Sequence, residues 1–181
     1  MRSQFKNNQK QSIKLTVIRI LLGSSTTLQG YMRLLLVIIC FFSCSAEPQT
    51  GKVVKVIDGD TFDLMLDKTI RVRMFGIDSP ERGQAYNVKA REFTAGLIAG
   101  KEINVIIRNK DRYGRFVCDV YLQDGTYVNA ELVRAGYAWH FKKYSDDDEL
   151  ARLQDDARVG RRGLWQDENP IPPWEFRKGK R

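Results

Sequence analysis

Histidine is nearly absent from this 181-residue chain: His140 is the single one. Without a second histidine or a suitable cysteine it cannot anchor a standard zinc site or a histidine-based hydrolytic motif. It is expected to be structural or at the surface. Cysteine is scarce as well. Cys40 and Cys44 fall in the N-terminal region, and only Cys118 lies beyond it. A chain cleaved after Ala46 therefore has no internal disulfide. Cys118 alternates with Phe116, Val120 and Leu122, so it reads as a small buried hydrophobe rather than a reactive thiol. Residues 1–46 contain no Asp or Glu but six Lys or Arg. The rest of the chain carries 24 basic against 22 acidic residues, so the formal +8 shrinks to +2 there. Any affinity for phosphate must then come from local clustering and not from global charge. No internal repeat or low-complexity segment is evident. Residues 58–69 do not form an EF-hand loop, because the sixth position is Asp63 instead of Gly and the twelfth is Thr69 instead of Glu.

Long apolar runs are also missing. Leu34 to Phe42 is apolar behind Met32-Arg33 and is followed by the small residues Ser43, Ser45 and Ala46. That is the layout of a secretory signal over 32–46, and the run falls short of the ~20 residues a spanning helix needs. A retained membrane anchor is the alternative. Cys44 offers a second one, a lipoprotein-type site that would tether the chain. Residues 1–31 are a basic extension with two readings: translation begins at Met32, or the extension is a long basic lead. The expected location is exported, periplasmic or extracellular, with membrane association only through a retained signal or a lipidated Cys44. A folded domain over 47–169 and a tail over 170–181 complete the division.

Within the domain, Lys52 to Asp58 and Thr61 to Leu66 are apolar-alternating runs around Asp58-Gly59, a hairpin dipeptide. Ile70, Val72 and Met74 alternate with Arg71 and Arg73, which puts both arginines on the face opposite the aliphatic set. Gly76 breaks the strand, and Asp78-Ser79-Pro80 reads as a turn. Residues 86–99 have helical spacing through Ala90, Phe93, Leu97 and Ile98, with Gly100 as a stop. Glu102 to Arg108 and Arg115 to Leu122 are further strands. Val128 to Ala135 is a short helix. A longer helix begins at Ser145, with Ser145-x-x-Asp148 as a capping box and Leu150, Leu153 and Ala157 as its buried stripe. Five strands, a helix before the fourth and two helices after the fifth predict an α+β domain. Its centre is a five-stranded OB-fold β-barrel with about three flanking helices. The tail from Pro170 reads as an extended strap with a basic end.

Three segments carry chemistry: Val56-Ile57-Asp58-Gly59-Asp60-Thr61, Arg73-Met74-Phe75-Gly76-Ile77-Asp78-Ser79-Pro80-Glu81, and Asp111-Arg112-Tyr113-Gly114-Arg115. They combine carboxylates for a hard cation with arginines for a phosphate. Alone, each has an ordinary reading: a hairpin, an arginine on a solvated strand face, a turn. Their ordered co-occurrence resembles the staphylococcal nuclease (thermonuclease) family from about Thr50 to Trp165.

That resemblance implies the OB-type fold and a hydrolase of DNA, with RNA as a further candidate substrate. It implies one calcium ion (Ca2+) held by Asp60, Asp78 and the backbone carbonyl of Ser79. Arg73 and Arg115 match the family's catalytic arginines, and Glu81 matches its glutamate beside the attacking water, as general base or water positioner. Arg112 and Tyr113 match positions that contact a nucleotide's terminal phosphate. Arg112 stands where the best-known member has a lysine, which keeps the charge but changes the hydrogen-bond geometry. The implied products end in 3′-phosphate, and the expected state is a monomer. The loop Arg82 to Asn87 is shorter than that member's. The competing reading is a non-catalytic OB-fold module of the cell envelope that binds nucleic acid or protein. Trp139, Phe141 and Tyr144 fit either a base-stacking surface or core packing. Asp146 to Glu149 reads as a helix N-terminus and not as a metal site.

Overall fold

The computed structural model describes residues 47–179. The expected extension, signal and Cys44 lie outside the described residues. Seven strands and four helices follow one another: β1 (Gln49–Asp58), β2 (Thr61–Met65), β3 (Thr69–Met74), β4 (Ile77–Asp78), α1 (Asn87–Ile98), β5 (Glu102–Lys110), β6 (Phe116–Leu122), α2 (Val128–Arg134), β7 (Trp139–His140), α3 (Asp148–Val159) and α4 (Pro173–Gly179). A 3-10 turn, Gly163–Gln166, precedes α4. Among the described residues no helix is long and apolar enough to cross a membrane.

Five strands close into a barrel in the order β1-β2-β3-β6-β5, with β1 pairing back to β5. This is the predicted architecture. All contacts are antiparallel except β3 with β6, which is parallel and sets Arg73 opposite Val117. β1 is ten residues long and serves both β2 and β5. Register shifts at Val53/Lys55 and Val56/Asp58 bend it enough to do so. The alternating pattern carries through: Ile70, Val72 and Met74 are buried inside the barrel with Phe62, Leu64, Ile103, Val105 and Val120. Cys118 is in the same core, and burial pushes its thiol up to about 12, with Asp119 adding to the rise.

Ala90, Thr94 and Ile98 face inward on α1, at the 4-residue spacing of one helix face. Thr94 was not part of the predicted stripe, yet its hydroxyl donates to the Gly59 carbonyl at 2.5 Å. α1 therefore grips the β1–β2 turn directly. Gly59 is needed there for space and not for left-handed backbone. A Cβ at this position would lie 2.7 Å from the Ser79 Cβ and 3.0 Å from the Ala90 Cβ. Gly59→Ala is expected to destabilise the fold by about 1–3 kcal/mol, through overpacking, in chemical unfolding. It should also displace Ser79.

Three details differ from expectation. Asp78-Ser79-Pro80 is not the turn. Asp78 belongs to β4, which pairs with β7 in a second, two-stranded sheet, and the chain turns afterwards, where Gln84 N donates to Glu81 O. Two-residue strands carry no periodicity, so neither was legible. The cap of α3 is Asp147 rather than Ser145: its carboxylate accepts from the Glu149 and Leu150 N–H groups, and Ser145 accepts from Asp147 N instead. Leu150, Leu153 and Ala157 do form the buried stripe. The tail is not an extended strap, because residues 173–179 are helical. Pro172-Pro173 supplies a helix start with Glu175 in the first turn and Arg177-Lys178 in the last, each where the macrodipole favours it.

Trp139 is core, packed edge-on against Trp165 and Trp174 at centroid distances of 4.3 and 5.6 Å. Phe141 stacks flat on Trp174 at 5.0 Å, and Tyr144 alone of the three remains exposed. His140 is buried, and burial lowers its imidazole below the usual range.

Candidate active site

The β1–β2 hairpin delivers Asp60, the end of β3 delivers Arg73, and the short β4 delivers Asp78, with Ser79 directly after it. Asp60 and Asp78 are 3% and 1% exposed, which isolated carboxylates do not tolerate without compensation. Arg73 supplies it. One nitrogen of its guanidinium pairs with Asp60, and the other lies 2.5 Å from Asp78 Oδ1 and 3.2 Å from the Ile77 carbonyl. The fork thus spans both acids. Burial pulls the Arg73 guanidinium down from its usual range, Asp78 opposes this, and the nearby Arg115 and Arg177 charges add to the fall. Ser79 N donates to Asp60 Oδ2 at 2.7 Å, which ties the residue after β4 to the hairpin turn.

β4 is held in place from the other side. Asp78 is in register with Trp139, and His140 N donates to the Gln154 side chain on α3. Phe141 N donates to the Gly76 carbonyl at 2.8 Å, next to the left-handed turn at Gly76. A helix 70 residues downstream thereby fixes the carboxylate.

Glu81 sits on the loop after β4. Gln84 accepts its N–H at 2.9 Å and reaches Ile171 O with its amide nitrogen at 2.5 Å. Asn87 donates to Asp58 at 2.5 Å and to the Pro80 carbonyl at 2.8 Å. The shortened loop is therefore braced at both ends. Burial pushes the Asp58 carboxyl up from its ordinary range; hydrogen bonds from Asn87 and Gly59 work against this, and the charge of Glu81 works with it.

Arg115 closes the third segment, the loop between β5 and β6. Its Nε donates to Asp111 Oδ2 at 2.8 Å. The other Asp111 oxygen accepts the backbone N–H of Tyr113 and of Arg115. Burial opposes ionisation of Asp111, but the Arg115 hydrogen bonds prevail and hold it below the usual range. Arg115 and Arg73 are near enough for their charges to repel. Arg112 and Tyr113 lie at the exposed tip, with the Arg112 guanidinium 2.7 Å from the Tyr113 hydroxyl. The structure thus brings together Asp60, Arg73, Asp78, Ser79 and Glu81. Arg115 stands beside this group, and Arg112 and Tyr113 do not touch it.

Four residues of this neighbourhood were not singled out by sequence, Gln84, Asn87, Thr94 and Arg177, and Asp58 was read as a hairpin residue with no role in the site. Arg177, on α4, pairs with both Asp78 and Glu81. Asn87 and Thr94 share the helical register of α1 and face the hairpin, a signal that periodicity alone could have raised.

Among the described residues no three His, Cys, Asp or Glu side chains are assembled as a metal cluster. The converging donors are two buried carboxylates flanking one guanidinium. Their oxygen chemistry and their demand for positive charge would suit a hard divalent cation.

Residues 71–167 match the family model described as staphylococcal nuclease homologue. An uncharacterized endonuclease of Escherichia coli is 44% identical over 131 residues, covering 72% of this chain and 86% of that protein. An uncharacterized endonuclease of Haemophilus influenzae is 38% identical over 147 residues, 80% of this chain and 82% of its own. A staphylococcal-like nuclease of Arabidopsis thaliana is 41% identical over 117 residues, 65% of this chain but only 36% of the plant protein. Barrel, matched span and relatives converge, and the chain belongs to the staphylococcal nuclease homologue family.

Proposed function

We propose that this chain is an exported, calcium-dependent nuclease that hydrolyses phosphodiester bonds of DNA, and of RNA as a second substrate, to products ending in 3′-phosphate. The observation that carries the reading is the meeting of Asp60, Arg73, Asp78 and Glu81, from separate stretches of chain, in one charge cluster beside Arg115.

Water attacks phosphorus, the 5′-oxygen leaves with a proton, and the phosphate stays on the 3′ side. Arg73 and Arg115 contact the phosphoryl oxygens and bind more strongly as negative charge grows toward the transition state. Glu81 orients the attacking water or takes its proton. Asp60, Asp78 and the Ser79 carbonyl would hold the calcium ion, which would supply Lewis-acid polarisation of the phosphate. Arg112 and Tyr113, at the loop tip, engage a terminal phosphate. The reading supports a soluble or tethered monomer acting outside the cytoplasm.

The test is to incubate the purified protein with labelled single-stranded DNA, with calcium and with chelator, and to identify the new ends. Calcium-dependent cleavage leaving 3′-phosphates is expected. Binding without cleavage at any calcium concentration would favour the non-catalytic OB-fold module.

A further inference from the structure

The C-terminal helix brings in a cation for which the sequence motifs leave no role. Arg177 Nη2 lies 2.8 Å from Asp78 Oδ2, and Nη1 lies 3.3 Å from Asp78 Oδ1 while also pairing with Glu81. Asp78 Oδ1 is at the same time 2.5 Å from Arg73 Nη2. Both oxygens of a carboxylate that is 1% exposed are therefore taken by guanidinium groups. A metal ion that uses Asp78 has to displace one of them.

The two arginines are not equally held. Arg73 springs from a barrel strand, spans two buried acids and is 15% exposed in its side chain. Arg177 is 42% exposed and belongs to a seven-residue helix near the end of the chain. α4 is pinned through Trp174 on Phe141 and Trp139, one turn before Arg177. The arginine stem can therefore swing away while the helix stays docked. Its charge also suits the exchange. Asp60, Asp78 and Glu81 together face two guanidinium groups, and trading Arg177 for a divalent ion raises the compensating charge by one.

We propose that Arg177 is the resident cation of the carboxylate site, that a divalent metal ion displaces it from Asp78, and that α4 thereby sets the metal affinity. This rests on the calcium-dependent reading above. Arg177 then weakens binding of the ion and keeps Asp78 and Glu81 compensated in its absence. Lys178, on the same helix, pairs with Glu175 and takes no part.

Calorimetric titration of the full chain with calcium chloride tests the exchange, using wild type, Arg177→Gln, Arg177→Lys, Lys178→Gln and Asp78→Asn, with thermal unfolding to verify each fold. Arg177→Gln should bind calcium at least about fivefold more tightly, the lower end of typical coupling between sites. Arg177→Lys should fall between it and wild type, since the charge stays and the fork is lost. Lys178→Gln should match wild type, and Asp78→Asn should lose binding. Equal or weaker binding by Arg177→Gln, with wild type binding and Asp78→Asn silent, would overturn the exchange and leave the calcium reading standing. No binding by any folded variant, or undiminished binding by Asp78→Asn, would overturn the calcium site itself and the exchange with it.

Discussion

Arg73→Ala is expected to lower kcat by ~10³-fold and to destabilise the metal-free protein by about 3–5 kcal/mol. The two effects have one cause. The guanidinium sits between Asp60 and Asp78, both almost fully buried, and among the described residues it is the cation paired with Asp60. Removing it leaves an uncompensated buried charge, which costs far more than an exposed pair is worth. Calcium should restore much of the lost stability, because the ion brings positive charge to the same carboxylates, but it should not restore turnover. In the proposed mechanism the wild-type guanidinium also contacts a phosphate oxygen, and alanine has nothing to offer there. Arg73→Lys should keep more of the stability than of the activity, since one ammonium cannot reach two acids and a phosphate as a planar fork does. Steady-state kinetics with calcium, and urea unfolding with and without it, separate the two effects. Near-wild-type turnover of the alanine variant would sink the proposed mechanism.

What could be read from the sequence and what could not follow a physical line. The barrel strands were legible because one face of each is buried, which writes a period of two into Ile70-Arg71-Val72-Arg73-Met74 and into Ile103, Val105 and Ile107. α1 and α3 were legible through their buried faces, and the acidic run at 146–149 was rightly a helix start, although the capping residue is Asp147. β4 and β7 were not legible, since a two-residue strand has no period and exists only through its partner. The charge cluster was visible as motifs because Asp60, Arg73, Asp78 and Glu81 fall within 22 residues of chain. Arg177 approaches from 99 residues away from Asp78, on a helix that was read as a strap. No local pattern reports such a contact. The helix itself could have been read from Pro173, Glu175 and Arg177, which follow the usual distribution of proline and charge along a helix.

Arg115→Ala is expected to lower kcat by ~10²–10³-fold while leaving stability nearly unchanged. The role proposed for it in turnover resembles that proposed for Arg73, but its surroundings differ. The side chain is 29% exposed, it pairs with the partly exposed Asp111, and pairs of that kind contribute about 0–1 kcal/mol. The loop does not depend on the side chain either. Asp111 N donates to the Arg115 carbonyl, Gly114 N donates to the Asp111 carbonyl with Gly114 at φ 83°, and Asp111 Oδ1 collects two further N–H groups. Asp111→Asn then becomes an informative partner variant. It keeps the acceptor oxygen that shapes the turn but weakens the charge-assisted bond that aims Arg115. Turnover should fall about tenfold, less than in Arg115→Ala, and the double variant should be no slower than Arg115→Ala alone, because Asp111 acts only through the arginine. Measuring kcat for the three proteins at saturating calcium tests the arrangement. An additive double variant would show that Asp111 acts on the reaction independently of Arg115.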